Sequence, residues 1–134
     1  MVGLTRTEDN LMIGYAMLGT NQYDKALAFY DKLLAPLGAK RAMDFGVSVI
    51  YSNGQGPMLG IGQPYNKQPA SYGNGTMIAL QVPSKEKVDE MYKLAISLGA
   101  MDEGPAGPRG DTFYAGYFRD LDNNKLCFFH AEGM

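Results

Sequence analysis

The chain has 134 residues, 46% of them hydrophobic and 19% charged, enough for one domain with its own core and too few for two of ordinary size. Its formal net charge is −2, with Lys and Arg scattered, so there is no electrostatic footprint for nucleic acid or an anionic membrane surface. No apolar run approaches the ~20 residues that span a bilayer, and Cys127, the one cysteine, can form neither an intramolecular disulfide nor a multi-cysteine zinc site.

Met1–Asn10 contains no charged segment followed by an apolar stretch and a small-residue cleavage site. With the lone cysteine, this gives the expectation of a cytoplasmic protein in a reducing compartment. Leu11–Leu18 is apolar and reads as a strand ending at Gly19. Asn21 follows as a helix N-cap, with Asp24 three residues later near the positive helix end. Ala26, Phe29, Tyr30, Leu33, Leu34 and Leu37 recur at three- and four-residue steps, an amphipathic helix that stops at Pro36 and Gly38. Ala39–Asp44, Gly46–Ser52 and Pro57–Gly62 are short strand-like segments set apart by Gly and Asn-Gly, with Val47, Val49 and Tyr51 alternating in the middle one.

The pattern then begins again. Thr76–Val82 reads as a strand, Ser84 as an N-cap, and Val88, Met91, Tyr92, Ala95 and Leu98 as a second helical stripe ending at Gly99. Strand-like segments resume around Ala100, Thr112–Arg119 and Lys125–Ala131. The Gly- and Pro-rich stretch Glu103–Asp111 reads as a mobile rim loop, with Arg109 on it as a solvated loop arginine.

Leu18 aligns with Leu80, Lys25 with Lys87, Phe29 with Met91 and Tyr30 with Tyr92, each pair 62 positions apart. One residue is then lost, and Leu37-Gly38-Ala39 aligns with Leu98-Gly99-Ala100 at a spacing of 61. Two amphipathic helices can share apolar positions by chance, but not easily the same Leu-Gly-Ala exit. The spacing predicts a duplicated supersecondary unit. The fold class is therefore α+β: two βαβββ modules, about 11–62 and 75–131, pairing into a curved sheet around a cleft.

A repeated βαβββ unit with Ala26-Leu27-Ala28-Phe29-Tyr30 on its helix and a Leu37-Gly38 exit resembles the vicinal-oxygen-chelate superfamily of glyoxalases, bleomycin resistance proteins and extradiol dioxygenases. Gly73-Asn74-Gly75-Thr76 and the closing Arg119-Asp120-Leu121-Asp122-Asn123-Asn124-Lys125-Leu126 also look like its small bacterial members. The latter departs from the family's Asp-Pro-x-Gly-Asn turn, with Leu121 for Pro and Asn123 for Gly. Asn tolerates left-handed backbone, so the turn is expected to form.

The resemblance implies a cleft with a divalent metal at its base, held by a residue on the first strand of each module and another on the last. Those positions are Tyr15, Met77 and Cys127, a phenol, a thioether and a thiol in place of imidazole and carboxylate. The set favours no hard divalent ion at neutral pH, so no cofactor and no metal are expected. His130, three residues beyond Cys127, should point to the opposite face of its strand and away from the cleft.

What remains to line the cleft is aromatic and soft: Tyr15, Met58, Met77, Tyr114, Cys127 and Phe129 are the candidate ligand-binding residues. Three readings follow. The leading one is a metal-independent protein that binds or sequesters a small apolar or aromatic molecule, like the family's drug-binding members, and by resemblance a homodimer. The alternatives are a metal-dependent lyase, isomerase or dioxygenase whose ligands lie elsewhere, and a cofactor-free enzyme using Tyr15 or Cys127.

Overall fold

A computed structural model describes residues 12–133. Leu11 and the segment Met1–Asn10, on which the reading of the N-terminus rested, lie outside the described residues. The elements are β1 (Tyr15–Gly19), α1 (Tyr23–Leu34), β2 (Lys40–Asp44), β3 (Ser48–Ser52), β4 (Met58–Gly62), β5 (Ile78–Gln81), α2 (Lys85–Ser97), β6 (Met101–Pro108), β7 (Phe113–Arg119) and β8 (Lys125–Ala131). They form two four-stranded sheets of the same order, β1-β4-β3-β2 and β5-β8-β7-β6. In each, the first strand runs parallel to the last and the other pairs are antiparallel. The expected duplication of a βαβββ unit is thus present.

The helical stripes become buried faces. In α1 these are Ala26, Leu27, Phe29, Tyr30, Leu33 and Leu34, and in α2 Val88, Met91 and Ala95. Fully burying a side chain such as Leu33 or Met91 contributes about 1.5–3 kcal/mol. A 3-10 turn at Ala35–Leu37 ends α1, and Gly38 at φ 76° turns the chain into β2. Ser84 caps α2 as expected, its hydroxyl accepting the Lys87 N–H at 3.0 Å.

Asn21 does not cap α1. The N-cap is Gln22, with no side-chain cap bond, and the Thr20 hydroxyl accepts the Gln22 N–H at 3.0 Å. The Asn21 side chain leaves the helix and brackets one distant residue. Its Oδ1 accepts the Ala70 N–H at 2.6 Å, and its Nδ2 donates to the Ala70 carbonyl at 2.9 Å. A tertiary partner outcompetes the local cap here.

Glu103–Asp111 is not a rim loop. Most of it is β6, paired to β7 through two bulges, with Glu103 bridged to Arg119 at 3.2 Å. The Arg109 N–H donates to the Phe113 carbonyl at 2.7 Å and closes the hairpin. Its guanidinium donates to the carbonyls of Pro105, Gly107 and Pro108 and lies 5.3 Å from the Tyr117 ring centroid. Bulges let Gly and Pro enter an edge strand without losing its pairing.

One apolar cluster joins the modules, running from Leu18, Tyr30, Leu33 and Ile61 to Val88, Met91, Phe118 and Phe128, with α1 against α2. A polar seam reinforces it. Tyr30 donates to Asp120 Oδ2 at 2.6 Å, Asn124 Nδ2 to the Gly19 carbonyl at 3.0 Å, and Gln22 Nε2 to the Leu121 carbonyl at 2.9 Å. The 120–124 turn forms as expected, with Asn123 left-handed at φ 71°. No helix among the described residues is long and apolar enough to cross a membrane.

Candidate functional site

Alternation decides which side chains are available for a site. In the first sheet Leu18, Val49, Tyr51, Leu59 and Ile61 pack into the core with α1. The other face carries Tyr15 and Met17 from β1, Ile50 from β3, and Gly60 from β4. Gly60 matters here, because a Cβ would run into Met17 Sδ and approach Ile50 Cδ1 to 2.7 Å. Its absence lets Met17 lie across the sheet. Tyr15 is 57% exposed and Met17 46%, so this apolar face stands open.

Two segments wall that face. One is the β2–β3 turn, which brings Phe45 and Val47, both exposed. The other is the connection from Gln63 to Ser71, pinned by the Asn21 bracket and pressed so close to Gly19 that a Cβ there would be 3.0 Å from Ala70 Cβ. Together they enclose an open depression of about 960 Å³, at the upper end of small-molecule sites.

A second depression of about 1040 Å³ lies where the edge of β5 faces the start of β1 and the turn before β4. Ile13, Ala16, Met58, Met77, Ala79 and Phe129 are among its lining residues. Both β1 and β5 end their sheets, so each presents a strand edge that no described strand covers.

The expected site residues divide between these places. Tyr15 lines the first depression, and Met58, Met77 and Phe129 line the second. Cys127 lines neither. It is buried on β8, level with Ala79 and Tyr117, in a small cluster with Ala115, Phe129 and Ala131. Tyr114 requires a correction. It stands opposite His130 in the β7–β8 ladder, and its hydroxyl donates to Asp89 of α2 at 2.8 Å. It therefore faces the helix, one residue out of step with Ala115 and Tyr117, which share the face of Cys127 and Phe129. His130 points to the helix side as expected, with Nδ1 3.3 Å from the Val82 carbonyl. Met17, Phe45, Val47 and the 63–71 connection were missed as lining. Met17 was legible as two residues beyond Tyr15 on the same strand face, whereas the others required the tertiary path of the chain.

The glyoxalase/bleomycin resistance protein/dioxygenase superfamily model matches residues 12–128. The chain belongs to this superfamily. Among solved structures, a glyoxalase/bleomycin resistance protein from Albidiferax ferrireducens T118 is 33% identical, with a TM-score of 0.82 over 89% of this chain and 98% of its own. A lactoylglutathione lyase from Agrobacterium tumefaciens, 22% identical, superposes with a TM-score of 0.67 over 88% and 92% of the two chains. A putative glyoxalase from Bacillus halodurans, 19% identical, does so at 0.71 over 89% and 95%. The last two show the shared fold. No curated protein matches the sequence.

Membership in the superfamily raises the question of a metal, and the described side chains at the positions the resemblance implies, Tyr15, Met77 and Cys127, do not fit one. Among the described residues no three His, Cys, Asp or Glu side chains come together in a group that could hold an ion. Tyr15 and Met77 sit over different sheets. Burial pushes the Cys127 thiol up to about 11, an effect that nearby Lys125 only partly offsets, so at neutral pH it offers no thiolate. The most perturbed phenols also serve the scaffold. Burial and then the Asp120 carboxylate hold Tyr30 well above the ordinary value. Tyr51 is raised by burial and by its hydrogen bond to Asp31, which also takes a bidentate pair from Arg41. Tyr30 and Cys127 line neither depression, and Tyr51, which is among the lining of the second, has its hydroxyl held by Asp31 and the Leu27 carbonyl.

Proposed function

We propose that this protein binds and sequesters a small apolar or aromatic molecule, without a metal, as a cytoplasmic homodimer. The observation that carries the reading is the open face of the first sheet. It presents a phenol, a thioether and aliphatic side chains around a depression of ligand size, and no donor set for a hard ion among the described residues. Such a lining rewards a planar apolar ligand through desolvation and ring stacking. The uncovered edges of β1 and β5, with the exposed Tyr15, Met17 and Met77 near them, support a second copy of the chain as the assembly partner. Cys127, free and buried, suits a reducing compartment.

The test is a panel of neutral and charged aromatic compounds screened by thermal melting. A ligand at a hundred times its dissociation constant stabilises the native state by about 2.7 kcal/mol. Tyr15→Glu and Met17→Glu should each lose that stabilisation while keeping the far-UV spectrum of the folded chain. If no aromatic compound shifts the melt, or if both variants keep the full shift, the reading is wrong.

A further inference from the structure

We propose that the connection between the modules is itself part of the binding site, and that through Lys67 it selects an aromatic ligand carrying an anionic group. This deepens the reading above and rests on it. Lys67 is the one charged side chain among the described residues lining the first depression, whose other walls are Tyr15, Met17, Phe45, Val47 and Ile50. It forms no ion pair among the described residues. A cation with no ion-pair partner among the described residues, at the border of an apolar, aromatic hollow, is complementary to an amphipathic anion such as an aromatic carboxylate or sulfonate.

Its placement is imposed on the chain. Lys67 has φ 64°, a left-handed backbone that lysine seldom adopts. The Lys67 N–H donates to the Pro64 carbonyl at 3.0 Å, and Asn66 Oδ1 accepts the Gln68 N–H at 2.9 Å, so the turn is closed on both sides of the residue. Three residues on, the Asn21 bracket grips Ala70. The Asn21 N–H itself donates to Asp122 Oδ1 at 2.8 Å, so the connection is anchored to the module-two turn as well. Backbone strain persists where the surroundings over-determine it. Asn21 is accordingly a positioning residue: it holds the connection as a wall, and the wall holds Lys67 beside the hollow.

The probes are 8-anilinonaphthalene-1-sulfonate, an aromatic anion, and N-phenyl-1-naphthylamine, its neutral relative, titrated by fluorescence at low and high salt. An exposed charge pair is worth a roughly two- to five-fold affinity effect, screened by salt. The sulfonate should therefore weaken by that factor in Lys67→Gln, with the neutral probe unchanged, and 0.5 M salt should erase the difference. Lys93→Gln, which removes the same charge from an exposed site on α2, should change neither probe. In Asn21→Ala, hydrogen exchange at the Ala70 amide should accelerate and the Lys67-dependent preference should shrink. Sulfonate affinity that is equal in wild type and Lys67→Gln, or lost equally in Lys93→Gln, overturns the selection by Lys67. Unchanged exchange at Ala70 overturns the positioning by Asn21. If neither probe binds the wild-type protein, the sequestering reading itself falls.

Discussion

Replacing Tyr30 by Phe isolates the bond that fastens the modules. The ring stays where it is, buried to 1% exposure and edge-on to Phe29 at 5.0 Å, so packing is conserved and only the hydroxyl goes. That hydroxyl is one of four donors to the Asp120 carboxylate. The others are the N–H groups of Asp122 and Asn124, at 2.9 Å each, and Asn124 Nδ2 at 3.0 Å. A hydrogen bond to a charged group contributes about 1.5–3 kcal/mol. Three donors remain, so the loss should not reach the ~3–5 kcal/mol of a buried charge stripped of its partner. At roughly 3 °C per kcal/mol for a chain of this size, the melt should fall by about 5–9 °C.

Denaturant titration followed by circular dichroism gives the free energy, and repeating it in an Asp120→Asn background gives the coupling. There Tyr30→Phe should cost measurably less, because the acceptor is neutral. The pH dependence has a definite sign. The folded-state pKa of Tyr30 is raised, chiefly by burial and then by Asp120, above an unfolded value near 10. Its stabilisation is complete below pH 10 and is lost as pH climbs from there toward the folded value, so wild type and Tyr30→Phe should converge in strong alkali. A loss under ~0.5 kcal/mol at pH 7, or the same loss in both backgrounds, would refute the assignment of this bond as the tie between modules.

Cys127 should resist an aromatic disulfide reagent at pH 8 in the native protein and react at once in denaturant, since burial lifts its thiol to about 11; rapid native labelling would contradict this. Its raised value also costs stability as pH passes from about 9 to about 11, a loss that Cys127→Ala should remove. Protein purified without added metal should carry no stoichiometric iron, nickel, zinc or manganese by elemental analysis, and about one ion per chain would send the search for ligands elsewhere. Sedimentation at micromolar concentration should give twice the chain mass, and a monomer would remove the second copy from the proposed assembly.

The elements and their duplication were determined by the sequence, because they follow from local periodicity. The apolar stripes of both helices, the Leu-Gly-Ala exits at Gly38 and Gly99 and the Ser84 cap all act within a few residues of themselves. The superfamily was legible for the same reason. So was the soft, aromatic chemistry of Tyr15, Met77 and Cys127, which depends on residue type alone.

What the sequence left open depended on partners distant along the chain. Asn21 has the chemistry of a cap, but Ala70, 49 residues away, takes its side chain. Glu103–Asp111 has the composition of a loop, yet β7 lies beside it and bulges absorb its glycines and prolines. Tyr114 differs from Tyr117 only in strand phase, and a one-residue phase reverses the face, so the β7–β8 register had to exist before either could be placed. The site itself belongs to the tertiary structure. Packing α1 against α2 turned the other face of the first sheet outward, and the path of the inter-module connection decided which residues stand around it.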